Sequence, residues 1–231
     1  LQQKSFKDTK ILDDKEFCAN YMGQHPAICI TLKGVHGVDF EDAYYKLAEV
    51  VSAKADEYSF LKDSPSLDEK EKAKFEKLCD EDYLKSFDKK TQSYVTSAII
   101  SLARMLYKHF KKQVYVLIDE YDVPLAKAQE KGYHDDMVTL ISSLFDFFKT
   151  IPQDPETVEQ YVSKVIMTGC LKVAKNSIFT GVNNLYVNTV VDRETEYTGI
   201  IGFTKEETNQ FLNDYELGDY TQKVKDNYDG Y

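Results

Sequence analysis

Short, continuous runs of apolar residues occur at four places in the chain and predict β-strands. They are Pro26–Lys33, Val114–Ile118, Val165–Met167 and a weaker run, Tyr186–Val191. The run Val114–Ile118 has no polar position at all, which is typical of a strand that is covered on both faces, as in a parallel sheet.

Between these runs, apolar residues recur at helical spacing. The stripes lie in Phe40–Leu61, Thr91–Lys111 and Met137–Phe148, and a further helix is predicted from Thr204. Strands that alternate with helices of this length favour βαβ units with right-handed crossovers. The pattern therefore predicts an α/β fold, a three-layer sandwich with a mostly parallel sheet.

The composition is that of a globular protein with a substantial core and an acidic surface. The chain has 231 residues, of which 42% are hydrophobic, and a formal net charge of −10. That charge argues against a protein whose whole surface binds nucleic acid and against a polybasic membrane binder, but it leaves a local basic groove open. No apolar run approaches the roughly 20 residues of a transmembrane helix, and we expect a cytoplasmic protein without a membrane partner.

The chain has four cysteines, at positions 18, 29, 79 and 170. They form no CxxC motif, so we expect reduced thiols. The alternation of Cys18, His25, Cys29 and His36 would suit zinc only if these side chains converged. We favour buried thiols over zinc, because Cys29 falls inside a predicted strand that would point it into the core.

The run Val114–Ile118 ends in three carboxylates among four residues, Asp119, Glu120 and Asp122. Charged side chains cannot stay buried unpaired, so Asp119 marks the point where the strand leaves the core, and ligands of open α/β sheets bind at such carboxyl ends. An apolar strand that ends in Asp-Glu resembles the Walker B element of a P-loop ATPase. Two other interpretations remain: acidic helix caps, with Asp122 capping a helix from Val123, or a carboxylate-metal nuclease site.

Several segments together resemble the AAA-ATPase-like family of P-loop proteins, whose bacterial members often carry a C-terminal PD-(D/E)XK nuclease-like domain. The matching segments are VYVLIDEYDVPL at 114–125, TGCLKVAKNSIFTGVNNL at 168–185, GFTKEE at 202–207 and YDGY at 228–231. The long second segment is the specific part, since an IDEYD strand alone is a weak signal. The resemblance covers roughly residues 26 to 231.

The resemblance implies roles for four residues. Asp119 would be the metal-side carboxylate for Mg²⁺, and Glu120 would polarise the attacking water. Thr168 would take the sensor-1 position, where a polar side chain contacts the γ-phosphate or the attacking water, although it would equally suit a cap on its own strand end. Lys172 would face phosphate, and the alternative is an ordinary solvated lysine.

The chain departs from the family at the phosphate-binding loop. It contains no GxxxxGK(S/T) motif, and Gly34-Val35-His36-Gly37 has neither the spacing nor the lysine of one. The resemblance places that loop before Leu1 and the nuclease-like domain after Tyr231. It implies a P-loop NTPase-like core over residues 1–203 that lacks the P-loop strand, followed by the start of a helical, lid-like segment over 204–231.

Two functions follow from these observations. In the first, the chain is part of an AAA-type ATPase that binds and hydrolyses ATP with Mg²⁺ and regulates a partner or a nuclease-like domain in the same protein, while these residues alone are inactive. In the second, it is a non-catalytic interaction module that keeps the NTPase-like fold. Nucleic-acid binding and assembly into a homo-oligomer both stay open.

The missing P-loop strand also yields a prediction about the sheet. In the family that strand lies between the sensor-1 strand, here Val165–Met167, and the next strand, here Tyr186–Val191. An open slot would leave backbone groups unpaired, at a cost of about 1–3 kcal/mol for each buried group. We therefore expect Tyr186–Val191, the N-terminal residues 1–25 or a second chain to fill the slot.

Overall fold

Three parallel strands form the sheet. A computed structural model describes residues 6–147, 161–170, 185–189 and 202–228 of the chain. Strand β1 is Ala27–Thr31, β2 is Val114–Asp119 and β3 is Val162–Met167. They lie in the order β1-β2-β3, and both neighbouring pairs are parallel, so β2 is the central strand of this sheet. The predicted α/β class and parallel sheet are confirmed for the described residues.

Helices connect the strands and precede the first one. Their bounds are α1 Lys15–Tyr21, α2 Phe40–Asp56, α3 Glu69–Cys79, α4 Glu81–Leu84, α5 Lys89–Thr96, α6 Ala98–Phe110, α7 Val123–Lys131 and α8 His134–Phe145. Short 3₁₀ turns lie at Lys10–Asp13 and Ser59–Asp63. No helix in the described ranges is long and apolar enough to cross a membrane.

Helices α2, α6 and α8 cover one face of the sheet. Ile28 and Ile30 of β1 line a small apolar cavity together with Leu47 of α2, Leu102 of α6 and Leu144 of α8. The strand order explains why the helices share this face. When consecutive parallel strands are added in one direction, right-handed crossovers place every connection on the same side of the sheet.

The opposite face carries a row of exposed side chains. Cys29, Leu117 and Ile166 lie side by side in register, and Leu117 and Ile166 are 37% and 49% exposed. Two predictions are therefore wrong: β2 is not covered on both faces, and Cys29 does not point into the core. The second helical layer of the predicted three-layer sandwich is not found among the described residues.

The chain divides into two compact units, Leu1–Asn183 and Asn184–Tyr231. In the second unit, α9 spans Lys205–Asp214, a 3₁₀ turn spans Gly218–Tyr220 and α10 spans Thr221–Tyr228. Thr204 caps α9, because its hydroxyl accepts the Glu207 N–H at 3.1 Å and the Glu207 carboxylate accepts the Thr204 N–H at 3.0 Å. The helix that we predicted from Thr204 is thus confirmed.

The outer edge of β3 has no paired strand within the described residues. The predicted strand Tyr186–Val191 is not a strand as far as position 189, and positions 190 and 191 lie outside the described ranges. The described part of the N-terminal segment forms turns and α1 rather than a strand. Neither segment fills the slot through its described residues, so filling by a second chain stays a prediction.

Candidate functional site

The carboxyl ends of β2 and β3 bring Asp119 and Thr168 together. The Thr168 N–H donates to the Ile118 carbonyl at 2.9 Å, which extends the parallel ladder by one residue beyond β3. The Thr168 hydroxyl then donates to Asp119 Oδ1 at 2.5 Å. The prediction that these residues lie side by side at the end of a central strand is confirmed.

Glu120 is the first residue beyond β2, and its backbone is left-handed, with φ of 53°. A non-glycine residue in this region is uncommon and carries a conformational cost of about 1–3 kcal/mol that the surroundings must offset. Part of the offset is visible, because the Glu120 N–H donates to Asp119 Oδ1 at 3.0 Å. The same carboxylate oxygen therefore fixes both the Glu120 backbone and the Thr168 hydroxyl.

Lys33 brings a positive charge to the site from the end of β1. The Leu32 N–H donates to the Asp119 carbonyl at 2.9 Å, which keeps the chain after β1 next to β2. Lys33 Nζ lies 3.8 Å from Glu120 Oε1, and the two side chains are 76% and 31% exposed. An ion pair this exposed adds little stability, but it places a positive charge next to the Glu120 carboxylate. No sequence pattern points to Lys33, because its proximity to Glu120 depends on how two strands pair.

Asp122 is a buried residue after β2 that is hydrogen-bonded to the chain after β3. It is 3% exposed, and its Oδ2 accepts the Cys170 N–H at 3.2 Å. Helix α7 begins at Val123 as predicted, but the Asp122 side chain makes no capping hydrogen bond to that helix. The interpretation of Asp122 as a helix-capping side chain is therefore wrong.

Gly169 lies against this carboxylate. A Cβ atom at position 169 would come within 2.5 Å of Asp122 Oδ1 and 2.8 Å of the Tyr121 ring. The Tyr121 N–H donates to the Thr168 carbonyl at 3.2 Å, so the two strand exits are also joined through their backbones. Our sequence reasoning missed Gly169, although a glycine directly after a predicted strand was a usable signal.

The donor set at Asp119 and Thr168 fits Mg²⁺. A carboxylate oxygen and a hydroxyl oxygen lie next to each other on exposed residues, and Mg²⁺ is usually held by one or two carboxylates together with water and substrate phosphates. A larger protein cage is not seen, because no three His, Cys, Asp or Glu side chains of the described residues are arranged to hold a metal. Neither a zinc site at Cys18–His36 nor a nuclease site of three carboxylates is supported.

The fourth residue that the resemblance singled out, Lys172, lies outside the described residues, so its position relative to Asp119 is not observed. The cysteines are free thiols, and none of them is buried, contrary to our expectation: Cys29 and Cys170 are exposed and Cys18 and Cys79 are partly exposed.

Comparison with known proteins identifies the family. The family described as Predicted AAA-ATPase matches residues 1–179, which is most of the chain. No match was found among curated proteins or among solved structures. The match includes β1, β2, β3 and all four residues Lys33, Asp119, Glu120 and Thr168. The chain belongs to the AAA-ATPase-like family.

Proposed function

We propose that the chain forms the metal-binding and water-activating side of an ATP hydrolysis site. The observation that carries this proposal is the hydrogen bond between the Thr168 hydroxyl and Asp119 Oδ1, at the carboxyl ends of two neighbouring parallel strands. Ligands of open α/β sheets bind at this edge. The AAA-ATPase-like family makes ATP with Mg²⁺ the ligand to test.

Each residue has a distinct role in the proposal. Asp119 binds Mg²⁺, directly or through water, and Thr168 contacts the γ-phosphate or the attacking water. Glu120 polarises that water, while Lys33 holds the Glu120 carboxylate in place from β1. Lys172, which follows Thr168 closely in the sequence, is the candidate phosphate contact that the family resemblance implies. When bound, Mg²⁺ neutralises the charge that develops on the β- and γ-phosphates.

The proposed site needs a phosphate cradle from outside the described residues. The outer edge of β3 accepts a further strand, since no described strand pairs with it. We propose that a P-loop strand and its glycine-rich loop pair with this edge in the full-length protein, which would give the P-loop NTPase-like, three-layer arrangement. These 231 residues would then hydrolyse ATP weakly or not at all by themselves, because the P-loop supplies much of the positioning.

The full-length protein provides the test. Mg²⁺-dependent ATP binding is measured by calorimetry, and hydrolysis is measured by phosphate release. Asp119→Asn should weaken ATP binding in Mg²⁺ and abolish hydrolysis. Glu120→Gln should keep binding and lower the hydrolysis rate by about 10²–10⁴-fold, the usual contribution of a general base. Glu130→Gln, which alters an exposed ion pair with Lys127 on α7, is the matched control and should change neither quantity.

The outcome separates the two functions that the sequence left open. ATP binding that does not depend on Mg²⁺ or on Asp119 would contradict the ATPase proposal and favour the interaction module. Clear hydrolysis by the 231 residues alone, lost in Glu120→Gln, would contradict the proposed need for an external phosphate cradle. Regulation of a nuclease-like domain in the same protein remains part of the proposal and requires that domain to be assayed with and without ATP.

A further inference from the structure

The exits of β2 and β3 are joined by more contacts than the sheet itself requires. We call the contacts between residues 119–122 and 168–170 the exit clamp. It comprises the Thr168 hydroxyl on Asp119, the Tyr121 N–H on the Thr168 carbonyl and the Cys170 N–H on Asp122. These three hydrogen bonds use Asp119, Tyr121 and Asp122 of one segment and Thr168 and Cys170 of the other, so both segments are held together beyond the strand ends.

Asp122 is the buried member of the clamp. Asp119 is exposed, whereas Asp122 is 3% exposed. Taking a carboxylate out of water is unfavourable unless hydrogen bonds compensate it, and a backbone N–H that donates to a charged oxygen is among the stronger ones available. The Cys170 N–H is one of the groups that compensate the burial of this carboxylate, and through it Asp122 holds the backbone at Cys170.

Gly169 gives an independent indication of the same fit. A side chain at this position would meet Asp122 Oδ1 at 2.5 Å and the Tyr121 ring at 2.8 and 3.0 Å. Contacts under 3.0 Å require something to shift, and here the neighbours are a buried carboxylate and an aromatic ring. The close approach of the 168–170 backbone to Asp122 thus depends on the absence of a Cβ atom at position 169.

We propose that Asp122 is a positioning residue of the candidate Mg²⁺-ATP site. Its carboxylate fixes the Gly169–Cys170 backbone, and this keeps the Thr168 hydroxyl on Asp119, the residue that would bind the metal. Asp122 itself touches neither metal nor nucleotide. The proposal rests on the proposed function, and it extends that function from the exposed pair to a buried residue that supports it.

The experiment combines two readouts on the full-length protein. The first is hydrogen exchange of peptides that cover residues 168–170 in the absence of nucleotide. The second is ATP affinity measured with Mg²⁺ and again with a chelator. Asp122→Ala removes the acceptor of the Cys170 N–H, Asp122→Asn keeps an acceptor oxygen, and Asp135→Ala removes an exposed carboxylate on α8 as the control.

The proposal requires a defined pattern. Asp122→Ala should speed exchange at 168–170 several-fold and reduce the Mg²⁺-dependent part of ATP affinity by about 10–100-fold, as is typical for residues that support a metal ligand. Affinity in the chelator should not change, and Asp122→Asn should restore Mg²⁺ dependence to within a few-fold of the natural protein. Gly169→Ala should resemble Asp122→Ala, because its Cβ would displace the carboxylate.

Other patterns overturn it. A purely structural role would lower the melting temperature of Asp122→Ala while leaving the ratio of the two affinities unchanged. Unchanged exchange at 168–170 would show that Asp122 does not hold this segment. If Asp122→Ala does not fold, Asp122→Leu keeps similar volume without an acceptor and serves the same comparison. Failure of the proposed function is recognised separately, because Asp119→Asn would then also leave the Mg²⁺ dependence of ATP affinity unchanged. Hydrogen exchange at 168–170 would still show whether Asp122 holds the exit clamp.

Discussion

Gly37 and Gly34 lie three residues apart in the loop after β1, yet alanine should affect them very differently. A Cβ atom at Gly37 would meet Asp42 Cβ and Oδ2 at 2.6 Å and the backbone N of Ala43 at 2.7 Å. The first turn of α2 cannot yield without disturbing its hydrogen bonds. A Cβ atom at Gly34 would meet nothing within 4 Å, and its φ is not in the left-handed region.

The expected cost at Gly37 has two parts. Overpacking by one methyl group in a site that cannot relax costs about 1–3 kcal/mol. Movement of the loop would also break the contact with Tyr133, whose hydroxyl accepts the Gly37 N–H and donates to the Gly37 carbonyl, both at 3.1 Å. Two such hydrogen bonds contribute about 0.5–1.5 kcal/mol each. If both parts are lost in full, we expect Gly37→Ala to lower the free energy of unfolding by about 2–6 kcal/mol.

Urea unfolding followed by far-UV circular dichroism measures this change, since the chain has no Trp to serve as a fluorescent probe. Gly34→Ala should leave stability unchanged or raise it by about 0.4–1 kcal/mol, because alanine restricts the unfolded chain. Tyr133→Phe removes both hydrogen bonds, so it should cost about 1–3 kcal/mol and separate the hydroxyl contribution from the steric one. Equal midpoints for the two glycine variants would refute the close packing of Gly37 on α2.

Three further predictions concern other parts of the first unit. Partial burial raises the pKa of the Cys79 thiol to about 12. A thiol reagent at pH 8 should therefore label Cys79 far more slowly than the exposed Cys29, as peptide mass spectrometry can measure, and equal rates would contradict this partial burial. Phe75→Ala should lower the free energy of unfolding by about 3–5 kcal/mol in urea titrations, because Phe75 is fully buried, and a loss under 1 kcal/mol would contradict its place in the core. The Thr91 backbone N–H donates to the Asp88 carboxylate and lowers its pKa. The stabilisation of the helix by the Asp88 cap is therefore present at neutral pH and is lost as the pH falls below about 4. The stability difference between the natural chain and Asp88→Ala should shrink between pH 6 and pH 3.

The sequence was sufficient to predict the sheet but not what covers it. Apolar runs located β1, β2 and β3, and their alternation with helices predicted that the strands are parallel. An unbroken apolar run does not reveal whether both faces are covered, so the exposure of Leu117 and Ile166 could not be read from it. Right-handed crossovers, once the order β1-β2-β3 is known, explain why the described helices between the strands lie on the other face. Strand order is a tertiary property that no local pattern contains.

Local hydrogen bonding accounts for the break within the predicted helix Thr91–Lys111. The structure has two helices there, α5 and α6, which meet at Ser97. The Ser97 hydroxyl donates to the Ser93 carbonyl at 2.7 Å, and the Thr96 hydroxyl donates to the Gln92 carbonyl at 3.0 Å. Such bonds to the preceding turn often bend helices, and an apolar stripe that continues across the bend hides it from a periodicity argument.

The residues of the candidate site that directly follow a strand were predictable from the sequence. Those whose position depends on tertiary packing were not. Asp119 and Thr168 each follow an apolar run, and parallel pairing of the two runs necessarily brings their ends together. Lys33 reaches Glu120 only because β1 pairs with the other edge of β2. Asp122 was misassigned because an acidic residue before Pro124 fits a helix cap as well as it fits a buried acceptor.

The departures from ordinary local chemistry concentrate at the end of β2. Glu120 has a left-handed backbone within a strand exit, whereas the other described non-glycine residues with positive φ lie in turns or next to helix ends, as Lys111 and Glu216 do. Two positions beyond Glu120, a carboxylate is buried, and it lies opposite a glycine that leaves no room for a methyl group. Stability alone favours none of these features, and natural proteins retain such features mainly at functional sites. Their concentration where β2 and β3 end, at the central strand and its neighbour, is a reason independent of family membership to test this edge first for Mg²⁺ and ATP.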